Sequence, residues 1–405
     1  MGESYSLFTN HREAVFLRRP NRFLIIAAPP EEGAGGEVLV CHCPNPGRLM
    51  EFAFPGTRLI LEKRDEENLK AKTAWTAAGL YHRNTVVPLF ASRANGAAEK
   101  LILKEIIPGL TEIHPEYTLG PSRFDFLCLD NKKRKHLVEV KACSLIEYQS
   151  AMFPDAPSGR ALKHLEELAE LSSQGYCCHI LFVITHSKPR VFIPNLHTDP
   201  EFAAALSRCG HAVLPFADAS AGDGPVAIHA ALIRCDSQGR AKLVSPAIPV
   251  DLSHGKLADS NSGNYLILLE LPREQAIEIG ALGTIAFKSG WYVYTGSARK
   301  NLSQRVNRHL RHHYKQKHWH LDYLTPQAGK IKALPIMSYR NLECGLARDL
   351  EKIGGLGIPG FGSSDCRCDS HLFYFTDPPM ENRDFVDLIL RYRHRDALKR
   401  DQGNL

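Results

Sequence analysis

The chain contains no apolar run approaching the roughly 20 residues that a membrane-spanning helix requires. Stretches such as "ILFVI" at 180–184 are only long enough for buried strands. The N-terminus, "MGESYSLFTNHREAVFLRRP", lacks an apolar secretion core. No internal repeat is present. The 11 cysteines are odd in number and scattered along 405 residues, which argues against a disulfide framework and for reduced thiols. Extreme charge is absent as well. A formal net charge of +6 leans only mildly toward polyanionic partners, so local clustering must decide. These absences lead us to expect a soluble, cytoplasmic protein with no membrane partner. A chain of this length with 44% hydrophobic residues is expected to form two or three globular domains.

Residues 13–90 hold short apolar runs, "AVFLRR", "RFLIIAA", "EVLVCHC", "TRLILEK" and "NTVVPLF". Turn-rich pieces such as "PPEEGAGG" and "PNPGR" separate them, a spacing that suggests a small antiparallel barrel at 1–90. From about 97 the order changes to helix ("AAEKLILKEII", ended by "PG"), three strands, helix, strand. Leucines at 162, 165, 168 and 171 mark the second helix, and Gly175 is its natural stop. This predicts a small α/β core at 91–235. Residues 236–262 are polar and aperiodic and are read as a linker. A second α/β unit is expected at 263–376, followed by a basic amphipathic tail at 377–405.

In "HLVEVKACS" (136–144), strand alternation puts Leu137, Glu139 and Lys141 on one face and His136, Val138 and Val140 on the other. A hairpin turn centred near Lys132 or Lys133 sets Asp125 across from 139–141, so Asp125, Glu139 and Lys141 can converge. Two carboxylates there make an oxygen site for a hard cation such as Mg²⁺. The ammonium would steady a metal-bound water, and the metal would offset charge on a pentavalent phosphate. Those are the parts of metal-assisted phosphodiester hydrolysis. An ordinary polar strand face, with Asp125 as a surface partner, accounts for the same spacing. The run Lys132, Lys133, Arg134 and Lys135 is either a solvated turn or a contact for a backbone phosphate.

Residues 13–235 resemble the sugar fermentation stimulation protein A (SfsA) family through "RRPNRFL", "CHCPNPGRL", "PG" at 55–56, "SRFDF", "VEVK", "FPDA" at 153–156 and "KHL" at 163–165. The resemblance implies an N-terminal OB-like barrel joined to a PD-(D/E)xK nuclease-like domain, with nucleic-acid binding. It places the family's acidic, acidic and lysine triad on Asp125, Glu139 and Lys141, and a preceding acidic residue on Glu116. The Thr usual after "FPDA" is replaced by Pro157 and Ser158. Asp155 is a candidate cap for the following helix. Arg160, Lys163 and His164 sit on that helix's first turns, either meeting phosphate there or facing solvent. Arg18, Arg19 and Arg22 of "RRPNR", with Arg48 of "PNPGR", give the barrel a basic face suited to a nucleic-acid backbone. Phe23 is expected in the core rather than as a base-stacking platform.

The segment 299–318 contains seven Lys/Arg and no acid. On a helix, Arg305, His309 and His313 fall along one side, and Arg308 and Arg311 add to a basic footprint for nucleic acid or to a merely solvated face. "YL" at 265–266, "YTG" at 294–296, Arg305 and His309 resemble the GIY-YIG nuclease motifs, with Glu343 of "ECGLARDL" as the metal-binding glutamate. More closely, 263–376 resembles a GIY-YIG-related domain through "YVYTGSA", "HWHLDYL" and "FGSSDCRCDSHLF". The implied roles are Tyr265 or Tyr294 orienting or deprotonating water, Arg305 on the phosphate and Glu343 on a divalent ion. About thirty residues separate the two tyrosines, so an insertion is required, and the first motif reads "NYL". The spacing of Cys366, Cys368 and His371, with Cys344 as a distant fourth group, does not match a strong structural-zinc pattern, so zinc is disfavoured. Cys41, Cys43, Cys177 and Cys178 are expected on strands, not as ligands.

Together these readings predict an α/β multidomain nuclease for DNA or RNA that uses Mg²⁺ or Mn²⁺ at Asp125, Glu139 and Glu343, with no small-molecule cofactor. The competing reading is a non-catalytic nucleic-acid-binding, regulatory protein whose nuclease folds serve as scaffolds. A weaker third is an interaction protein using the basic tail.

Overall fold

The computed structural model describes residues 3–31, 37–64, 73–213, 224–253, 255–311 and 317–401. His313, most of the "PPEEGAGG" turn and residues 402–405 of the expected tail lie outside them. The chain divides into two units, Met1–Lys256 and Leu257–Leu405.

In the first unit, strands His11–Asn21, Leu24–Ala28, Leu39–His42, Arg58–Lys63 and Trp75–His82 form an antiparallel ladder. Parallel pairing of Cys41 with Trp75 closes it into a barrel. Phe16, Ile25, Ala27, Cys41, Leu59, Leu61, Ala77 and Leu80 fill the interior by alternation along each strand. Trp75–His82 was not among the expected strands. Its Ala77, Ala78 and Gly79 have weak strand propensity, yet small residues suit the closure, because a Cβ on Gly79 would sit 3.2 Å from the Val87 carbonyl oxygen.

The hairpin strand Thr85–Pro88 continues the same sheet into strands ordered Val226–Cys235, Cys177–Ile184, Lys135–Cys143, Ser122–Asp130, Leu110–Leu119. The first three of these run parallel and the last two join antiparallel. Helices Gly159–Ser172 and Pro200–Cys209 cover one face over Leu137, Ile180, Phe182 and Ile228. On the other face, Val138, Val140, Leu181 and Val183 pack with Ala97, Ala98 and Ile102. The covering helix is not the single helix expected: a 3₁₀ turn at Ala91–Arg93, α at Ala94–Ala97, π at Ala98–Ile102 and α at Leu103–Ile106 follow one another.

The expected linker needs correction. Arg240–Ser245 is a strand of the first unit, pairing with Val226–Cys235 and with Tyr5–Ser6, because its alternating Ala241 is fully buried.

The second unit is a five-stranded antiparallel sheet ordered Lys330–Met337, Gly263–Leu271, Gly290–Ala298, Leu372–Phe375, Leu356–Gly357. Helices Leu302–Leu310, Glu343–Lys352 and Arg383–Asp401 belong to it. The insertion between the two tyrosines is the hairpin Gln275–Glu278 with Thr284–Phe287. The tail is also corrected. Residues 377–401 are built into this unit: Phe385, Val386, Leu388, Ile389, Leu390 and Tyr392 are buried, and the Tyr392 hydroxyl donates to Asp349 Oδ2 at 2.9 Å. No helix among the described residues is long and apolar enough to cross a membrane.

Candidate nuclease-like site

The hairpin register carries the site. Lys135 pairs with Leu129 and Val138 with Phe126, which centres the turn on Lys132 and sets Asp125 opposite Glu139. Asp125 Oδ2 accepts from the Val140 amide at 2.7 Å, and its Oδ1 accepts from Asn95 Nδ2 at 2.7 Å. Glu139 is 2% exposed. Its Oε1 accepts from Lys141 Nζ at 2.5 Å and from His164 Nδ1 at 2.6 Å. Its Oε2 is equally buried and has no hydrogen-bond partner among the described residues.

The surroundings shift the two carboxyls in opposite directions. Burial, then the neighbouring charge of Glu139, raises Asp125 above its ordinary value, against the Val140 amide, Asn95 and Lys141. Burial also pushes Glu139 up, but the His164 hydrogen bond and the Lys141 ammonium outweigh it and hold Glu139 below its ordinary value. An orphaned, ionised oxygen close enough to a second carboxyl to raise it is a costly arrangement for a structural core. It fits the donor set of a hard divalent cation.

His164 and Asn95 were not assigned to this site from the sequence. His164 faces neither solvent nor an open phosphate site, contrary to expectation: it is buried against Glu139. Its helix is capped by Ser158, whose Oγ accepts from the Ala161 amide at 3.2 Å. Asp155 is therefore not the cap. It accepts instead from the Leu49 amide at 2.9 Å, so "FPDA" meets "PNPGR". Gly47 is required there, since a Cβ would lie 2.3 Å from Asp155 Oδ2. Burial raises Asp155 to about 6. Glu116 stands on the edge strand at φ 56 and pairs on the surface with Arg123 Nε at 3.0 Å, so it is not in the hydrogen-bonded cluster.

The basic candidates divide. Arg18, Arg22 and Arg48 are exposed on the barrel. Arg19 is not available as a phosphate contact: its guanidinium donates to the carbonyls of Gly47, Arg48, Arg22 and Asn45, pinning the "PNPGR" loop. Phe23 is 50% exposed, with the Arg22 guanidinium 4.7 Å over its ring, so it is not the core residue expected. Arg160 and Lys163 are exposed on the helix that carries His164, with Lys163 3.5 Å from Glu167. Lys132 and Lys133 are exposed, and Lys133 bonds Glu112 at 3.1 Å. Their turn stands at the far end of the hairpin. Seven residues at ~3.3 Å each put it roughly 20 Å from Asp125, outside reach of a shared phosphate.

In the second unit, Tyr265 and Tyr294 are buried neighbours with ring centroids 6.5 Å apart. The Tyr265 hydroxyl is 3.0 Å from His309 Nε2. Gly296 admits the Tyr265 ring, which a Cβ would meet at 2.3 Å. Burial raises both phenols above the ordinary tyrosine value, which favours their neutral, hydrogen-bonding forms. Arg305 Nη1 donates to the Ser297 carbonyl at 2.7 Å. Arg308 is not an outward phosphate contact. It grips the buried Asp322 with two bonds of 3.0 and 2.8 Å and lies over Trp319. Arg311 is exposed. Glu343 has both oxygens engaged, Oε2 by Ser297 Oγ at 2.5 Å and Oε1 by His371 Nδ1 at 3.0 Å. Cys344 is not distant from "CRCDSH": its sulfur stands with Cys366, Cys368 and His371, all four donor atoms within 4.8 Å. A cleft of about 380 Å³ opens beside Ser297 and includes Arg299, Tyr339 and Arg340.

Three family descriptions match in order: the SfsA N-terminal OB domain at 17–89, the sugar fermentation stimulation protein RE domain at 92–217, and a domain of unknown function, DUF123, at 264–394. A sugar fermentation stimulation protein homolog of Clostridium botulinum is 36% identical over 198 residues, covering 48% of this chain and 82% of the relative. The Methanothermobacter thermautotrophicus homolog is 33% identical over 216 residues, covering 52% and 87%. A solved structure, described as Pyrococcus furiosus SfsA in complex with Ca²⁺, aligns with 28% identity and a TM-score of 0.49 over 61% of this chain and 99% of that one. The OB and RE domains are consistent with nucleic-acid binding. The chain belongs to the sugar fermentation stimulation protein family and carries a GIY-YIG-related DUF123 domain behind the family's two domains.

Proposed function

We propose that the first unit is a divalent-metal-dependent nuclease that hydrolyses phosphodiester bonds in DNA or RNA at Asp125, Glu139 and Lys141. The observation that carries this reading is the buried, unpartnered Oε2 of Glu139, whose charge bears on Asp125, with Lys141 and His164 fixed on the other oxygen. Mg²⁺ or Mn²⁺ held between these carboxylates would supply Lewis acidity and an activated water. Asn95 and the Val140 amide orient Asp125, and His164 orients Glu139, so the oxygens are aimed before substrate arrives. Lys141, largely shielded from solvent, supplies positive charge where the phosphate becomes more negative. Arg18, Arg22 and Arg48 offer exposed charge to the backbone, and the Arg22–Phe23 pair offers a ring for an unstacked base.

The second unit is better read as a binding module than as a second cutter. Both Glu343 oxygens are engaged within the unit, and the Arg299–Arg340 cleft suits a phosphate backbone. The test is incubation of the full chain with labelled single- and double-stranded DNA and RNA, with Mg²⁺ or Mn²⁺ and with chelator, comparing wild type, Glu139→Ala and Lys141→Ala. Metal-dependent cleavage lost in both variants supports the proposal. Tight, salt-sensitive binding with no cleavage of any substrate would leave the family's nuclease fold as a scaffold and sink it.

A further inference from the structure

Eight of the 11 cysteines need no explanation beyond packing or partial burial, but three sulfurs and one imidazole converge in the second unit. Cys344 lies in the first turn of the Glu343–Lys352 helix. Cys366 and Cys368 lie in the loop before the Leu372–Phe375 strand, and His371 sits at the strand's threshold. Segments well apart in sequence thus deliver four donor atoms to a sphere in which none is more than 4.8 Å from another. Cys366 Sγ is 3.4 Å and Cys344 Sγ 4.0 Å from His371 Nε2. A tetrahedral zinc ion with ~2.3 Å bonds to sulfur and ~2.0 Å to nitrogen has donor separations of roughly 3.5–3.8 Å, so the Cys366–His371 edge already matches and no edge need contract by more than about 1 Å.

The histidine is also oriented for the task. His371 is 2% exposed, and its Nδ1–H donates to Glu343 Oε1 at 3.0 Å. That bond fixes the tautomer, leaving the Nε2 lone pair directed at the sulfurs. The Cys368 amide points at Cys366 Sγ at 3.4 Å, the kind of N–H contact that steadies a thiolate. A three-sulfur, one-nitrogen set selects zinc over the hard cations expected at Asp125 and Glu139.

We propose that Cys344, Cys366, Cys368 and His371 bind one structural zinc ion, with Glu343 as the outer carboxylate that orients His371. This gives Glu343 a positioning role at the zinc site in place of direct ligation of a catalytic metal, and it is independent of the nuclease reading for the first unit.

The test uses the full chain purified under reducing conditions. Elemental analysis is expected to give one zinc per chain, and exchange into Co²⁺ to give the thiolate charge-transfer and intense visible bands of a tetrahedral sulfur-rich site. Wild type lacking both stoichiometric zinc and those bands would overturn the proposal, whether or not any variant folds. Cys366→Ser with Cys368→Ser is expected to lose the metal, while Cys209→Ser keeps it; full retention by the double variant would also overturn the site. Glu343→Gln is expected to keep one zinc at saturation but to weaken it roughly 10- to 100-fold in competition with a chelator. An unchanged affinity would remove Glu343 from the site.

Discussion

Each unit of this protein holds a glutamate that the sequence marks as a candidate metal ligand, and the two glutamates are finished differently. Glu139 is buried with one oxygen held by Lys141 and His164 and the other left without a hydrogen bond among the described residues. Glu343 is less buried, yet both its oxygens are taken, one by Ser297 and one by His371. A carboxylate left incomplete in a dry site is poised for a cation, whereas one completed by its neighbours holds those neighbours in place. The same contrast runs through the arginines. Arg18 and Arg22 are exposed on the barrel, while Arg308 is folded inward onto Asp322.

The largest effect that can break this contrast is on cleavage. Glu139→Ala is expected to lower metal-dependent cleavage at least roughly 100-fold, since it removes the cation's ligand and the partner of Lys141 together. Gel assays with Glu343→Ala in parallel locate the chemistry: cleavage that survives Glu139→Ala but vanishes in Glu343→Ala would transfer the active site to the second unit. Next in size is Arg308→Ala. Asp322 is fully buried, and stripping its guanidinium partner is expected to cost ~3–5 kcal/mol, seen as a fall in the unfolding midpoint of the second unit. If stability is unchanged while nucleic-acid affinity falls, Arg308 is a phosphate contact after all.

What could be read from the sequence follows the range of the interactions. Asp125, Glu139 and Lys141 were legible because a hairpin fixes its own register, and a four-residue turn decides which side chains meet. The same arithmetic, carried further along the strands, also separates the basic turn from the site, a consequence that charge clustering alone obscured. His164 was not legible in its role. It reaches Glu139 from a crossover helix whose docking depends on Ala161, Leu165 and Leu168 packing on the sheet. Asn95 arrives through a helix broken by a π segment that apolar periodicity does not report. Arg19 and Phe23 were reversed for a common reason: composition marks a basic, aromatic loop but not which side chain turns back to satisfy carbonyls. The Cys344 ligand needed the second unit's sheet to bring residue 344 beside 366.

A smaller effect probes the cost of leaving the first site incomplete. Because Asp125 has a raised value in the folded protein, folding favours its protonated form. The resulting penalty is absent below the unfolded aspartate range and develops as pH rises through the folded value. Asp125→Asn is therefore expected to be more stable than wild type at pH 8, by ~0.5–2 kcal/mol, with the advantage fading toward pH 4. Glu139 behaves oppositely. Its lowered value gives stability that is present above the unfolded glutamate range and lost as pH falls through the folded value. Urea midpoints at the two pH values, with and without Mg²⁺, check this. Mg²⁺ should raise the wild-type midpoint and leave Asp125→Asn unmoved, and a cation response in the variant would separate Asp125 from the metal.

The smallest effect concerns Arg18, which decides whether the barrel surface of the first unit is a nucleic-acid face at all. An exposed arginine that meets one phosphate contributes mainly through counterion release, so its loss weakens every sequence alike. Arg18→Ala is expected to reduce the slope of log affinity against log salt by about one and to leave the thermal midpoint where it was. Arg19→Ala is the internal contrast one residue away. Its guanidinium is spent on the Gly47, Arg48, Arg22 and Asn45 carbonyls, so that variant should lose stability, by ~1–3 kcal/mol. Titrations over several salt concentrations separate the two. Equal slopes for wild type and Arg18→Ala would take the phosphate path off this face of the barrel and leave Arg160 and Lys163, exposed on the helix that carries His164, to carry it.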